Sequence, residues 1–323
     1  MNKKILSLAL AAFAVSVLFF ACDEVDPPYT IPDNTNTAND SSCIFDAAGP
    51  ATYRKVLVED YTGHLCGNCP YAAGVIANTL HPLYGDTLIA VGVHASPFSQ
   101  FTETCPPALY PPGAAAFAPV YTEDFRTVAG EAWLSFFAVP NNPKGMVSRI
   151  DYPTTHVKSP TAWAAATASI IGQPADVGIQ IINTYNSSTG NLTVCIKTTY
   201  LAAFSGTYYL SVLLLEDSIH AWQEDYTIDP PSGVPPLYQN DTNYIHRHVM
   251  RGAINSEFGV QLNTAPVAAG DTVRNSYIIN LLSLPASMNT TNPAVNVARC
   301  SVVAFVYNNT TKEILQAEEA EVE

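Results

Sequence analysis

The chain has 323 residues, 48% hydrophobic and 13% charged, with a formal net charge of −14. That length accommodates about two domains of roughly 100–200 residues each, and the apolar content excludes a globally disordered chain. The negative balance argues against nucleic acid as a partner, because phosphates are met by Lys and Arg. The chain opens with the basic stretch MNKK, followed by the apolar run ILSLALAAFAVSVLFFA. Residues 1–21 therefore read as an export signal, with an uncleaved membrane helix as the alternative.

The next residues narrow that choice. LFFAC places Ala21 directly before Cys22 and resembles a bacterial lipoprotein cleavage box. The resemblance implies a lipidated Cys22 as the mature N-terminus, held on a membrane by acyl chains worth about 0.8 kcal/mol per buried methylene. Residues 22–50 are polar and lack periodicity, which predicts a flexible tether. Their acidic start, CDEVD, resembles the export tag of surface-exposed lipoproteins; an ordinary solvated linker is the other reading.

RKVLVEDYT, residues 54–62, reads as a buried strand. PYAAGVIANTL has apolar residues at Ala72, Val75, Ile76 and Leu80, which is helical spacing, and Pro70 is tolerated in the first turn. DTLIAVGVHAS, residues 86–96, is a second apolar strand, so the order strand–helix–strand predicts a parallel pair. Residues 97–121 read as an irregular insertion. TEDFRTVAGEAWLSFFAV reads as a helix capped at Thr122, and SPTAWAAATASIIGQ as a helix with Ser159 as cap and Pro160 at its first position. Between them, VPNNPKGMVSRID predicts a proline turn and a short strand.

From about residue 175 the pattern changes to seven strand-like runs separated by Gly, Asn, Pro and Ser, from ADVGIQIINTY to EILQAEEAEV. These predict an all-β, antiparallel β-sandwich domain over 175–323, following an α/β domain over 51–174. One of the runs, NYIHRHVMRGAI, puts His246 and His248 on one face of a strand, most simply an ordinary polar face.

The chemistry is concentrated in VLVEDYTGHLCGNCPYAAG, where Cys66 and Cys69 lie three apart between the first strand and the first helix. Three readings stand: a thiol–disulfide exchange site, half of a zinc site, or a permanently closed bridge. Zinc needs further ligands, and although His64, His81 and His94 lie nearby there is no second CxxC, so neither metal nor cofactor is expected. The arrangement resembles the thioredoxin fold. That resemblance implies Cys66 as the nucleophile at a helix N-terminus, Cys69 as the resolving thiol, Asp60 as a buried proton relay and Pro143 as the cis-proline facing the pair, with Pro140 the competing choice. Leu65 stands where thioredoxins carry Trp. His94, at a strand end, would stabilise the Cys66 thiolate.

Setting Cys22, Cys66 and Cys69 aside leaves Cys43, Cys105, Cys195 and Cys300, an even number that suggests two bridges in an exported protein. The simplest pairing keeps each within a domain, Cys43–Cys105 and Cys195–Cys300, although Cys195 shares a face with Thr193 and Lys197 that does not look like core. Taken together, the lipobox, the tether, VLVEDYTGHLCGNCP, VGVHAS, YIHRHVMR and the terminal VVAFVYNNTTKEILQAEEAEV resemble the outer-membrane-protein-28 family of Bacteroidetes lipoproteins. The resemblance implies a thioredoxin-like domain, a β-sandwich and an outer-membrane location. The partners expected are the membrane and either protein thiols and disulfides or, in a rival reading, surface ligands bound by an inert scaffold.

Overall fold

The computed structural model describes residues 43–322 apart from 46, 99–100, 103–120, 230–238, 265, 286–287 and 289–293. The signal, Cys22, most of the tether and Cys105 lie outside the described residues. The chain is mainly β. An eight-stranded sheet carries β1 (Val56–Thr62), β2 (Leu88–His94), β3 (Lys144–Val147), β6 (Tyr208–Glu216), β9 (Val249–Ala253), β10 (Val260–Gln261), β12 (Cys300–Asn308) and β13 (Ile314–Glu321). A three-stranded sheet holds β4 (Val177–Asn186), β5 (Asn191–Tyr200) and β11 (Thr272–Asn280), and a hairpin holds β7 (Ile219–Glu224) and β8 (Asn240–His246).

β1 and β2 pair in parallel, as the strand–helix–strand order requires, and β3 pairs antiparallel to β1. Among the described helices, α1 (Cys69–Val75) widens into a π-helical turn (Ile76–Leu80) and continues as α2 (His81–Tyr84). Ala72, Ile76 and Leu80 recur four apart and bury against Val56, Val58, Leu88 and Ala90. Gly85, at φ +50°, ends the run in a conformation that a side chain would strain.

The large sheet runs through both halves of the chain. On one of its faces, Leu57 and Tyr61 of β1, Val91 and Val93 of β2, and Leu213, Val303 and Phe305 from beyond residue 200 share a single core with Trp133 of α3 (Val128–Phe136). On the other face α1 and Trp163 of α4 (Pro160–Ala168) cover β1 and β2, while the three-stranded sheet covers β6 and β12. These strands are buried on both faces, and so read as continuous apolar runs. The join between the halves is made by β9, which lies parallel to β2 and antiparallel to β6.

Three local expectations change. Helix α3 begins at Val128 and not near Thr122, because Asp124 turns back to accept from the backbone N–H and guanidinium of Arg126, and Thr127 Oγ1 accepts from Gly130 N at 3.0 Å. Ser159 precedes α4 without capping it, since its hydroxyl takes Lys144 Nζ instead. The single strand read through NYIHRHVMRGAI is two strands, β8 and β9, broken at His248 (φ +53°).

The disulfides require a larger correction. Cys43 bonds to Cys195, not to Cys105, and Cys300 is a buried free thiol, so the Cys195–Cys300 bridge is not formed. Along β5, Leu192, Val194 and Ile196 face the inner core, which places Cys195 on the outer face of the three-stranded sheet. Cys300 lies in that inner core. The two sulfurs are thus on opposite sides of a sheet, whereas the 43–45 segment crosses the outer face, with Phe45 beneath the Arg274 guanidinium at 5.2 Å.

Candidate functional site

Cys66 and Cys69 form a disulfide with Cα atoms 5.4 Å apart, at the carboxyl ends of the parallel strands β1 and β2. Cys69 is the first residue of α1 and its N–H donates to Cys66 O at 2.9 Å, so Cys66 stands one turn ahead of the helix. The relative exposures are 3% for Cys66 and 1% for Cys69.

Asp60 lies opposite Gly92 in the β1–β2 register, and His94 lies opposite Thr62. The period of two puts Asp60, Gly92 and His94 on the sheet face that α1 covers. Asp60 is buried, its Oδ1 has no hydrogen-bond partner, and burial pushes its carboxyl up to about 8. It is therefore a neutral acid at pH 7. Asp60 and Pro70, the residue after Cys69, line the same cavity of about 360 Å³, walled by Ala73 of α1 on one side and by Tyr244, Arg247 and His248 on the other.

The Asn142–Pro143 peptide is cis. Tyr61 pairs with Lys144, so Pro143 follows on next to the carboxyl end of β1, where the CxxC loop begins. Asn142 Nδ2 donates to Ala95 O at 2.9 Å and ties the proline loop to the end of β2.

His94 ends β2 on that same face. It is buried against Phe125 (ring centroids 4.9 Å) and His246 (5.6 Å), and its Nδ1 has no hydrogen-bond partner. Burial first, then the neighbouring His246 and His64, hold it well below the usual histidine range. It stays neutral at pH 7. His246 is pushed down to about 3, chiefly by burial. His246 and His248 also part company: the first joins His94 and Phe125, and the second lies against His81 at 5.3 Å. Among the described residues no group of three or more His, Cys, Asp or Glu is arranged to hold a metal ion.

The elements that the sequence reading missed lie over the CxxC loop. Glu224 N donates to His64 O and Tyr226 N to Gly67 O, each at 2.8 Å. Gln223 Nε2 reaches Gly63 O and Cys66 O, both at 3.2 Å. The Tyr226 ring rests on Gly67 so closely that a Cβ there would stand 2.5 Å from it. Phe125 and Tyr121 fill the space beside His64 (centroids 6.1 and 5.1 Å). Tyr226 belongs to a half of the chain whose many tyrosines carry no positional signal, and nothing in WQEDYT marks Gln223 as a partner for a loop some 160 residues earlier.

A family model described as outer membrane protein Omp28 matches residues 131–323. No curated protein sequence matches the chain. Among solved structures, HBP35 of Porphyromonas gingivalis has a TM-score of 0.55 at 15% identity, over 84% of this chain and 76% of that one. A domain of the outer membrane lipoprotein Omp28 from the same organism has a TM-score of 0.28 at 17% identity, over 46% of this chain and 89% of that one. The first likeness is one of fold. The matched family segment begins after the cysteine pair, so the pair's chemistry has to be read from its own geometry.

Proposed function

The chain belongs to the outer membrane protein Omp28 family, and from that premise we propose that it is an outer-membrane lipoprotein whose Cys66–Cys69 pair exchanges disulfides with protein thiols. The observation that carries the reading is the pairing of a closed CxxC disulfide at the start of α1 with a buried Asp60 on the sheet face that α1 covers, where burial pushes its carboxyl up to about 8. The parallel β1–α1–β2 unit, the antiparallel β3 and the cis-Pro143 before it support a thioredoxin-like arrangement in this half. The three-stranded sheet over β6 and β12 supports a sandwich-like arrangement in the other.

In the oxidised state the pair acts as the electron acceptor. A substrate thiolate attacks Cys66 Sγ, the Cys66–Cys69 bond breaks, and its electron pair goes to Cys69 Sγ. Asp60, a neutral acid at pH 7, supplies the proton that turns the Cys69 thiolate into a thiol, across the cavity it shares with Pro70. A second substrate thiolate then attacks the substrate sulfur of the mixed disulfide; that S–S bond breaks, and Cys66 leaves with the electron pair and takes a proton from solvent. The net change is one substrate dithiol oxidised to a disulfide and one CxxC disulfide reduced to two thiols. Return to the starting state requires a disulfide-bearing oxidant.

The rival reading is a non-catalytic surface lipoprotein with an inert scaffold, favoured by the near-complete burial of both cysteines. The reduction potential separates the two. An exchange site lies well above the roughly −300 mV below which structural bridges fall. In cells, a Cys69→Ala variant traps mixed disulfides through Cys66. A potential below that limit, together with no trapped partner, leaves only the scaffold.

A further inference from the structure

We propose that residues 223–226 are an internal occupant of the CxxC loop, seated where a partner polypeptide must lie and displaced when one docks. The inference rests on the reading of Cys66–Cys69 as an exchange site.

The contact has the pattern of an added strand. Glu224 N and Tyr226 N, two residues apart, both point at the loop and donate to His64 O and Gly67 O. Asp225 N, between them, points the other way and donates to Gln239 O at 2.7 Å, within the hairpin's own pairing. Alternation of this kind is how an extended segment pairs with backbone on each side. Gln223 adds its side-chain amide to the carbonyls of Gly63 and Cys66, so four carbonyls on residues 63–67 are engaged by three residues, Gln223, Glu224 and Tyr226. The Tyr226 ring then covers Gly67, the residue between the two cysteines that has no side chain to hold it off.

The same segment is built to leave. The hairpin is a two-stranded sheet of its own and is not hydrogen-bonded into the eight-stranded sheet. Tyr226 is 48% exposed, and its hydroxyl donates to Glu224 on the same segment, a bond that travels with it. Asp225 Oδ1 accepts from Thr227 N and Thr227 Oγ1, which holds the turn after β7 whether or not the loop is in place. Burial of the pair and an exchange role are thus reconciled: the segment closes over the backbone of the loop that carries both cysteines, and an incoming extended chain takes over the same carbonyls.

The test uses the full oxidised protein. Gln223→Ala and Tyr226→Ala each weaken the seat without touching the cysteines, Asp60 or Pro143. The rate at which dithiothreitol opens Cys66–Cys69, followed by alkylation and mass, is expected to rise about tenfold or more in each variant, since reaction proceeds through the opened form. Rates within twofold of the parent in both would overturn the proposal. A measurement on the unmodified chain stands beside it: if the segment lifts as a unit, the amides of Glu224 and Tyr226 exchange hydrogen about tenfold faster than that of Asp225. Equal protection of all three would overturn it as well. Failure of the exchange reading looks different: the variants open faster, yet neither they nor the parent forms a mixed disulfide with an unfolded thiol protein. If instead the parent forms that mixed disulfide as fast as the variants do, exchange stands and the internal occupant does not.

Discussion

Asp60→Asn isolates the energetic cost of the buried acid. The carboxyl titrates near 3.8 when solvated and is pushed up to about 8 by burial. Its folded value therefore lies above its unfolded one, so the folded chain holds a proton that the unfolded chain has released. The stability this proton confers is whole below 3.8 and is lost as pH rises to about 8. The slope is about 1.4 kcal/mol per pH unit, which amounts to about 4 kcal/mol by pH 7. Asparagine matches the neutral acid in shape and has no proton to lose. Urea unfolding of the oxidised protein at pH 5, 6, 7 and 8 should therefore show the variant gaining on the parent at each step, while the other titrating groups cancel in the difference. The same substitution removes the proton donor for Cys69. The ratio of parent to variant rates of disulfide opening should fall as pH passes about 8, with the reductant's own titration cancelling. Parallel stability curves across pH 5–8 would refute the claim that Asp60 is a buried neutral acid, and with it the proton step.

Three further outcomes follow from the rest of the fold. Cys195→Ala opens a crosslink spanning 152 residues, and the chain-entropy model puts the loss at about 5 kcal/mol, read as a lower urea midpoint; non-reducing peptide mapping of the parent should recover Cys43 joined to Cys195. Arg149→Met leaves Glu59 without its ion-pair partner at full burial, where Arg149 Nη2 now reaches Glu59 Oε1 at 2.6 Å, so a loss of about 3–5 kcal/mol is expected in the same assay. His246, held neutral in the fold down to about 3, makes the protein lose stability as pH falls from 6.5 toward 3, because the unfolded chain takes up the proton first; His246→Phe should flatten that acid limb by about 1.4 kcal/mol per pH unit.

What could be read from the sequence divides along the range of the interactions. The β1–α1–β2 unit was legible because its signals are local: Ala72, Ile76 and Leu80 repeat at helical spacing, Pro70 stands in the first turn, and two apolar runs flank them. The placement of Cys66 and Cys69 at the start of α1, and of a buried Asp60 on β1, was legible for the same reason, since all three are close in sequence to the turn that positions them. The Cys43–Cys195 bridge was not, because the rule of keeping each bridge within a domain presumes that the halves are separate. Instead Cys43, which bonds to Cys195, and Pro50, which packs on Gly178, both lie against the three-stranded sheet. The surroundings of His94 were not legible for a related reason: the residues that enclose it and keep it neutral, Phe125, His246 and His64, come from three other parts of the chain.

The hairpin shows the limit most plainly and explains why the site is easily misread. From sequence, a CxxC beside a buried acid implies an open site; from exposure alone, cysteines at 3% and 1% imply a structural bridge. Each inference takes the loop as if nothing could move against it. Gln223, Glu224 and Tyr226 contribute bonds whose acceptors are backbone carbonyls, and a backbone carbonyl accepts from any extended chain regardless of its side chains. A contact of that kind leaves little trace in the residues of the loop, apart from the glycine that admits Tyr226. It can also be exchanged for the same contact with another polypeptide at little net cost in hydrogen bonds. The burial that counts against exchange therefore bears on the energy needed to uncover the pair and not on the chemistry of the pair itself.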